Sequence, residues 1–221
     1  MVWAKRSRRL DAPVAPSDLP WLTASATELA AAIHDRTVTS VAVVDAHIRR
    51  IQAVNGQINA IVQARFEAAR DEAHAADAAI ADGQTDLPPL FGVPCTIKES
   101  FGVTGMKQTS GLVARAENVA TSDATAVARL RGAGAIVLGT SNVSELLMWL
   151  ESDNRVYGRT NNPYHLGRIA GGSSGGEGAI VGAGGSPFGL GADVGGSIRL
   201  PAFFNGVFGH KPTGGLVPNT G

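Results

Sequence analysis

The stretch from Gly171 to Pro201, GGSSGGEGAIVGAGGSPFGLGADVGGSIRLP, constrains this chain more than any other. Glycine at this density leaves peptide N–H groups unshielded and admits backbone conformations that other residues avoid. Such a surface suits an anion or an oxyanion. A flexible Gly/Ser linker is the competing reading. The apolar run Ala179 to Val181 and the segment Pro187-Phe188-Gly189-Leu190 speak against it, because they read as packed pieces of helix and strand. Ser173 and Ser197, each with glycine beside it, are the side chains here best suited to chemistry.

Composition sets the outer bounds. With 221 residues, 44% hydrophobic content and a formal net charge of +0, the chain can bury a core in one domain or two, and its bulk charge does not point to nucleic acid. Lys5, Arg6, Arg8 and Arg9 cluster ahead of the Pro-containing segment Asp11 to Pro20, so residues 1–23 are expected to form a flexible tail, with a surface anchor as the alternative. No apolar run reaches the length of a membrane span and no secretory signal is apparent, so a cytoplasmic protein without an integral membrane segment is expected. Cys95 is the only cysteine, which excludes an internal disulfide and a thiolate cluster. The histidines at 34, 47, 74, 165 and 210 lack the paired spacing of a zinc helix, so no metal and no cofactor are expected.

Ser25 and Glu28 form a capping box ahead of a short amphipathic helix, and a second helix starts near Thr39, carries Val41, Val44, Ile48 and Ile51 on one face, and stops at Asn55-Gly56. Ile58 to Val62 reads as a strand, and Arg65 to Ala81 as an alanine-rich helix ending at Asp82-Gly83. Leu90 to Glu99 is an apolar strand that delivers Lys98 at its end. The chain has four lysines, Lys5, Lys98, Lys107 and Lys211, against fifteen arginines, so a lysine at this place is informative. Its amine can lose a proton on desolvation and arginine's guanidinium cannot. An exposed strand end paired with Glu99 is the alternative. Ser122-Asp123 caps a helix through Arg131, Ala135 to Gly139 is a strand, and another helix runs from Asn142 to the apolar cluster Leu147, Met148 and Trp149. That cluster reads as core, with a pocket wall as the alternative. The alternation of helix and strand predicts an α/β fold with a sheet covered on both faces.

Gly171 to Gly175 satisfies G-x-S-x-G, the nucleophile elbow, but the expected strand before it is poor and only His210 follows. A phosphate loop lacks its Gly-Lys-Ser/Thr ending. A lysine and two serines acting in series fit better: Ser197 attacks, Ser173 relays the proton, and neutral Lys98 accepts it. The peptide N–H groups of Val194, Gly195, Gly196 and Ser197 lie beside the attacking oxygen and would face a developing oxyanion.

The segments GGSSGGEGA, GADVGGSIR and FGHKPT, with Lys98 upstream, resemble the amidase signature family. LFGVPCTIKES, TSNVSELLMWLESDNRVYGRTNNPY and RLPAFFNGVFGHKP resemble its fatty-acid amide hydrolase branch, type 2 in particular, and the likeness runs from about Ala24 onward. The resemblance implies an amidase signature domain over 24–221 with a mixed β-sheet. It also implies a Ser-cisSer-Lys triad, Asp193 and Arg199 as braces of the loop, and Leu147 and Met148 beside an acyl pocket. The implied reaction is cleavage of a carboxylic amide to acid and amine through an acyl-enzyme. The substrate would be a small-molecule amide, with a homodimer open as the oligomeric state. Ala192 departs from the threonine or serine common before the aspartate. Family members continue well past Lys-Pro-Thr, so the domain is expected to be the N-terminal part of the fold, truncated after Gly221. The alternatives are an inactive fragment or a glutaminase like the A-type component of the amidotransferases, acting on aminoacyl-tRNA.

Overall fold

The computed structural model describes residues 10–221. The basic cluster at Lys5 to Arg9 lies outside them. The rest of the expected tail is packed rather than free. Leu10 and Ala12 lie against the core, and Leu19–Thr23 forms a short helix, α1. The buried Asp18 holds this segment by accepting from Arg49 Nε at 2.9 Å and Nη2 at 2.8 Å. Polar contacts of this kind leave no apolar periodicity in the sequence to read.

Helix α2, Ala26–His34, begins with the expected capping box: Ser25 Oγ accepts from the Glu28 N–H at 3.2 Å, and Glu28 Oε2 accepts from the Ser25 N–H at 2.7 Å. Helix α3, Ser40–Ile58, is capped by Thr39 and buries Val44, Ile48, Ile51, Val54 and Ile58. It continues past Asn55-Gly56 and stops where Asn59 takes a left-handed conformation, φ 48°. Asn55 does not end the helix. Its Oδ1 instead accepts from the N–H groups of Ala60 and Ile61, which sets the start of β1, Ile61–Ala64. Helix α4 spans Phe66–Ala81 and strand β2 spans Pro94–Lys98.

Helix α5, Thr125–Gly132, starts later than expected, because Asp123 turns away to accept from the N–H and Oγ1 of Thr104 and to pair with Arg131. Strand β3 is Ile136–Ser141. No α-helix follows Asn142. The backbone at Leu146 and Leu147 is left-handed, φ 50° and 62°, which breaks any helix after one short turn at Glu145–Leu147. Asn142 is fully buried, donating to Gly158 O and Thr160 Oγ1 and accepting from Asn154. Met148 and Trp149 are exposed, not core. A small pair of strands, β4 (Asn161–Asn162) and β5 (His165–Ile169), lies outside the main sheet. Helix α6 (Gly175–Gly182), strand β6 (Gly189–Leu190) and helix α7 (Arg199–Asn205) complete the order.

The main sheet runs β1-β3-β2-β6, with β1 antiparallel to β3 and the other neighbours parallel. Its side chains alternate between two cores. Ile136 and Leu138 face α3, α4 and α6, whereas Val137, Cys95 and Ile97 pack with Val127 of α5. Alternation therefore places Thr96 and Lys98 on the face of β2 opposite Cys95 and Ile97. Among the described residues no helix is long and apolar enough to cross a membrane.

Candidate active site

Strand β2 ends on Lys98, whose side chain is fully buried. Its Nζ donates to Ser173 Oγ at 2.7 Å and to the carbonyl oxygen of Ala192 at 3.3 Å. Burial pulls the amine down to about 7, while the charges of Glu177 and Asp193 hold it up. Glu99, the next residue, does not pair with it. Its buried carboxylate accepts from Thr109 N and Oγ1, Ser110 N and the Tyr157 hydroxyl, at 2.6 to 2.9 Å. Lys98 thus lies at the inner end of a strand, with no carboxylate in hydrogen-bond contact among the described residues.

Ser173 follows a cis peptide bond from Gly172 and lies two residues before α6. The main chain around it is fixed from several directions. The Ser174 N–H donates to Ser197 O at 3.1 Å, the Gly175 N–H donates to Ser152 Oγ at 2.8 Å, and Ser174 Oγ donates to Ala192 O at 3.2 Å. Ser197 is half-buried, and its hydroxyl makes no hydrogen bond within the described residues. The structure therefore joins Lys98 to Ser173 directly, and joins Ser197 to that segment through the main chain alone.

Asp193 organises the turn that carries Ser197. Its side chain is fully buried and accepts from the N–H groups of Gly196 (2.7 Å), Ile198 (3.1 Å) and Arg199 (3.2 Å). It also takes both Nε and Nη2 of Arg199 at 3.0 Å. The paired guanidinium and these N–H groups hold the carboxyl well below the usual carboxylate range. The bracing expected of Asp193 and Arg199 is present as geometry. One expected oxyanion donor is not free: the Gly196 N–H is spent on Asp193. The N–H groups of Val194, Gly195 and Ser197 have no acceptor among the described residues.

A cleft of about 460 Å³ opens beside this turn, lined by Leu147, Leu190, Ala192, Val194 and Ile198 among others. Met148 is not in its wall and stands exposed in solvent.

Two polar groups escaped the sequence reading. Thr96, on the same face of β2 as Lys98, donates to Glu177 Oε2 at 2.7 Å. Glu177 is buried in the first turn of α6, where burial pushes its carboxyl up to about 7 against the Thr96 and Ser141 hydroxyls and the Lys98 charge. It is the only charged residue between Gly171 and Ala192, and an isolated charge inside an apolar run was the signal that could have found it.

A family profile described as Amidase matches residues 42–221, and the chain belongs to the amidase signature family. It is 53% identical over 212 residues to fatty-acid amide hydrolase 2 of Homo sapiens, covering 93% of this chain and 40% of that protein. It is 45% identical over 204 residues to the acylamidase of Rhodococcus erythropolis, covering 92% and 42%. It is 41% identical over 199 residues to the A-type component of the glutamyl-tRNA(Gln) amidotransferase of Nocardia farcinica, covering 90% and 41%. Among solved structures, the native peptide amidase of Stenotrophomonas maltophilia superposes with a TM-score of 0.85 at 31% identity, over 91% of this chain and 42% of that one. The chain therefore spans about two fifths of the length of these relatives, and the expected mixed sheet is the corresponding part of their fold.

Proposed function

We propose that this chain carries the acylation centre of an amidase, cleaving a carboxylic amide to acid and amine through an acyl-enzyme. The observation that carries this reading is the 2.7 Å contact between the buried Lys98 Nζ and Ser173 Oγ. A neutral amine there accepts a proton from Ser173 Oγ as Ser173 takes one from Ser197 Oγ. The freed Ser197 Oγ forms the bond to the substrate carbonyl carbon. Charge developing on the carbonyl oxygen faces the N–H groups of Val194, Gly195 and Ser197. Collapse breaks the C–N bond, the proton returns through Ser173 to the leaving amine, and water hydrolyses the ester. The Ser197 to Ser173 contact is one that commonly closes only in the substrate complex. The 460 Å³ cleft beside Val194, with Leu147 and Leu190 in its wall, suits an apolar acyl group.

The higher identity to fatty-acid amide hydrolase 2, 53% against 41% for the amidotransferase component, favours hydrolysis over transfer to aminoacyl-tRNA. A small-molecule amide is the substrate class in this reading. A cytoplasmic setting belongs to the same reading, supported by the single, buried, free Cys95.

A fluorophosphonate probe tests the assignment, because Ser197 Oγ would displace fluoride and keep the phosphonyl group. Labelling should vanish in Ser197→Ala, fall strongly in Lys98→Ala, and persist in Lys107→Ala. Undiminished labelling of Ser197→Ala overturns the reading.

A further inference from the structure

We propose that Glu177 is a positioning residue for the amine of Lys98: its buried carboxyl group, seated by Thr96 on the same face of β2, sets the pH at which that amine becomes neutral. The inference deepens the amidase reading and rests on it for its consequence, though its test does not need activity. Three elements converge to build the seat. Thr96 Oγ1 of β2 donates to Glu177 Oε2 at 2.7 Å. Helix α6 supplies Glu177 from its first turn, four residues after Ser173. Strand β6 supplies Gly189, where a Cβ would collide with Glu177 Oε2 and lie 3.0 Å from Thr96 Oγ1. Any side chain on β6 at that point would evict the carboxyl, so the site is shaped to hold it.

The seat is incomplete in one respect. Glu177 Oε1 is buried with no hydrogen bond of ordinary geometry among the described residues, and the one hydroxyl that favours its charged form beside Thr96 is that of Ser141 at the end of β3, itself buried and otherwise unpartnered. A carboxylate left half-satisfied in a low-dielectric site is costly unless a neighbouring charge offsets it or the group takes a proton. The groups that act on it are the hydroxyls of Thr96 and Ser141 and the charge of Lys98, and Glu177 in turn acts on Cys95 on the opposite face of β2. Lys98 in turn feels Glu177 and Asp193, and Asp193 is already saturated by Arg199 and three N–H groups. Arg65, Glu72 and Arg131 act on Cys95, beyond the strand. Of the two acids that act on Lys98 among the described residues, Glu177 is thus the one that can change charge near neutrality, and it titrates with Lys98 as a pair. A charged Glu177 holds the proton on Lys98, and a neutral one releases it.

The test reads Lys98 directly. With lysine labelled by carbon-13 at Cε, the four lysines of the chain give few signals, and Lys98→Met identifies the one of interest. In Glu177→Gln the Lys98 midpoint should move to lower pH by about one pH unit. Thr96→Val, which removes the hydrogen bond favouring the charged carboxylate, should move it in the same direction and covers the case in which Glu177→Gln does not fold. A merely structural Glu177 would lower the melting temperature and leave the midpoint in place. An unmoved or raised midpoint in the folded variants overturns the proposal. Fluorophosphonate labelling of Ser197 in the same samples keeps the two readings apart: its absence from the wild type counts against the amidase reading, whereas a shifted Lys98 midpoint without labelling still supports the role of Glu177.

Discussion

Lys98 and Glu177 are each moved toward neutrality by burial, from opposite sides. Lys98 falls from 10.5 to about 7 and Glu177 rises from 4.5 to about 7. Between about 7 and 10.5 the unfolded chain holds a lysine proton that the folded chain has lost, so this group makes stability rise with pH across that window. Between 4.5 and about 7 the folded chain keeps a Glu177 proton that the unfolded chain has released, so stability falls as pH rises there. The combined burden is largest near pH 7. Replacing both groups with Lys98→Met and Glu177→Gln should therefore raise stability at neutral pH by about 1–4 kcal/mol, with a smaller gap at about pH 5 and at about pH 9. Thermal melts at the three pH values check it. Under the proposed mechanism acylation of Ser197 needs a neutral Lys98, so the labelling rate should rise as pH climbs through about 7 and level off above. A rate that falls across that range would remove Lys98 from the role of base.

At the scale of elements, one side chain makes most of the bonds within the turn between β6 and α7. Asp193 satisfies three N–H groups at the start of α7 and locks the outward-facing Arg199. Asp193→Ala leaves those N–H groups without their acceptor and should cost about 2 kcal/mol in urea unfolding, with a clear loss of Ser197 labelling. Arg199→Lys keeps the main-chain bonds and should cost less. Because the Asp193 carboxyl is held below its usual range, its contribution is in place above the ordinary carboxylate midpoint of 3.8 and is lost only as pH falls well below that value. Some of this arrangement could be read in advance. The capping box of α2, the apolar face of α3 and the strand ending at Lys98 all announce themselves through period and spacing. The segment after Asn142 does not, since Ser-Glu-Leu-Leu-Met looks helical while left-handed Leu146 and Leu147 break it. Asn142 bonds to both Asn154 and Thr160 across the loop, and such tertiary polar contacts override local propensity. The diversion of the Gly196 N–H to Asp193 was hidden for a related reason: a glycine-rich run shows which N–H groups can be exposed, not which are already paired.

For the whole molecule, the balance of covered and uncovered surface matters most. The main sheet has helices on both faces and three buried clusters, yet Val194, Phe203, Phe208, Met148, Trp149 and Leu216 are exposed. Exposed apolar residues scattered singly are ordinary, whereas neighbouring ones make a patch. Phe203 and Phe204 also pack with their rings tilted by 56° and centroids 5.9 Å apart, so α7 presents a small aromatic ridge. Such a surface should bind a hydrophobic dye under native conditions and drive concentration-dependent association, the homodimer being the simplest product. Phe203→Ser combined with Phe208→Ser should reduce both dye fluorescence and the association seen by sedimentation velocity. Both side chains point into solvent, so the labelling of Ser197 should persist. Dye binding unchanged by the two substitutions would move the sticky surface elsewhere, toward the exposed Met148, Trp149 and Leu150 segment. Loss of labelling together with loss of association would instead mean that the aromatic ridge supports the turn carrying Ser197, and that covering this surface is a condition of its chemistry.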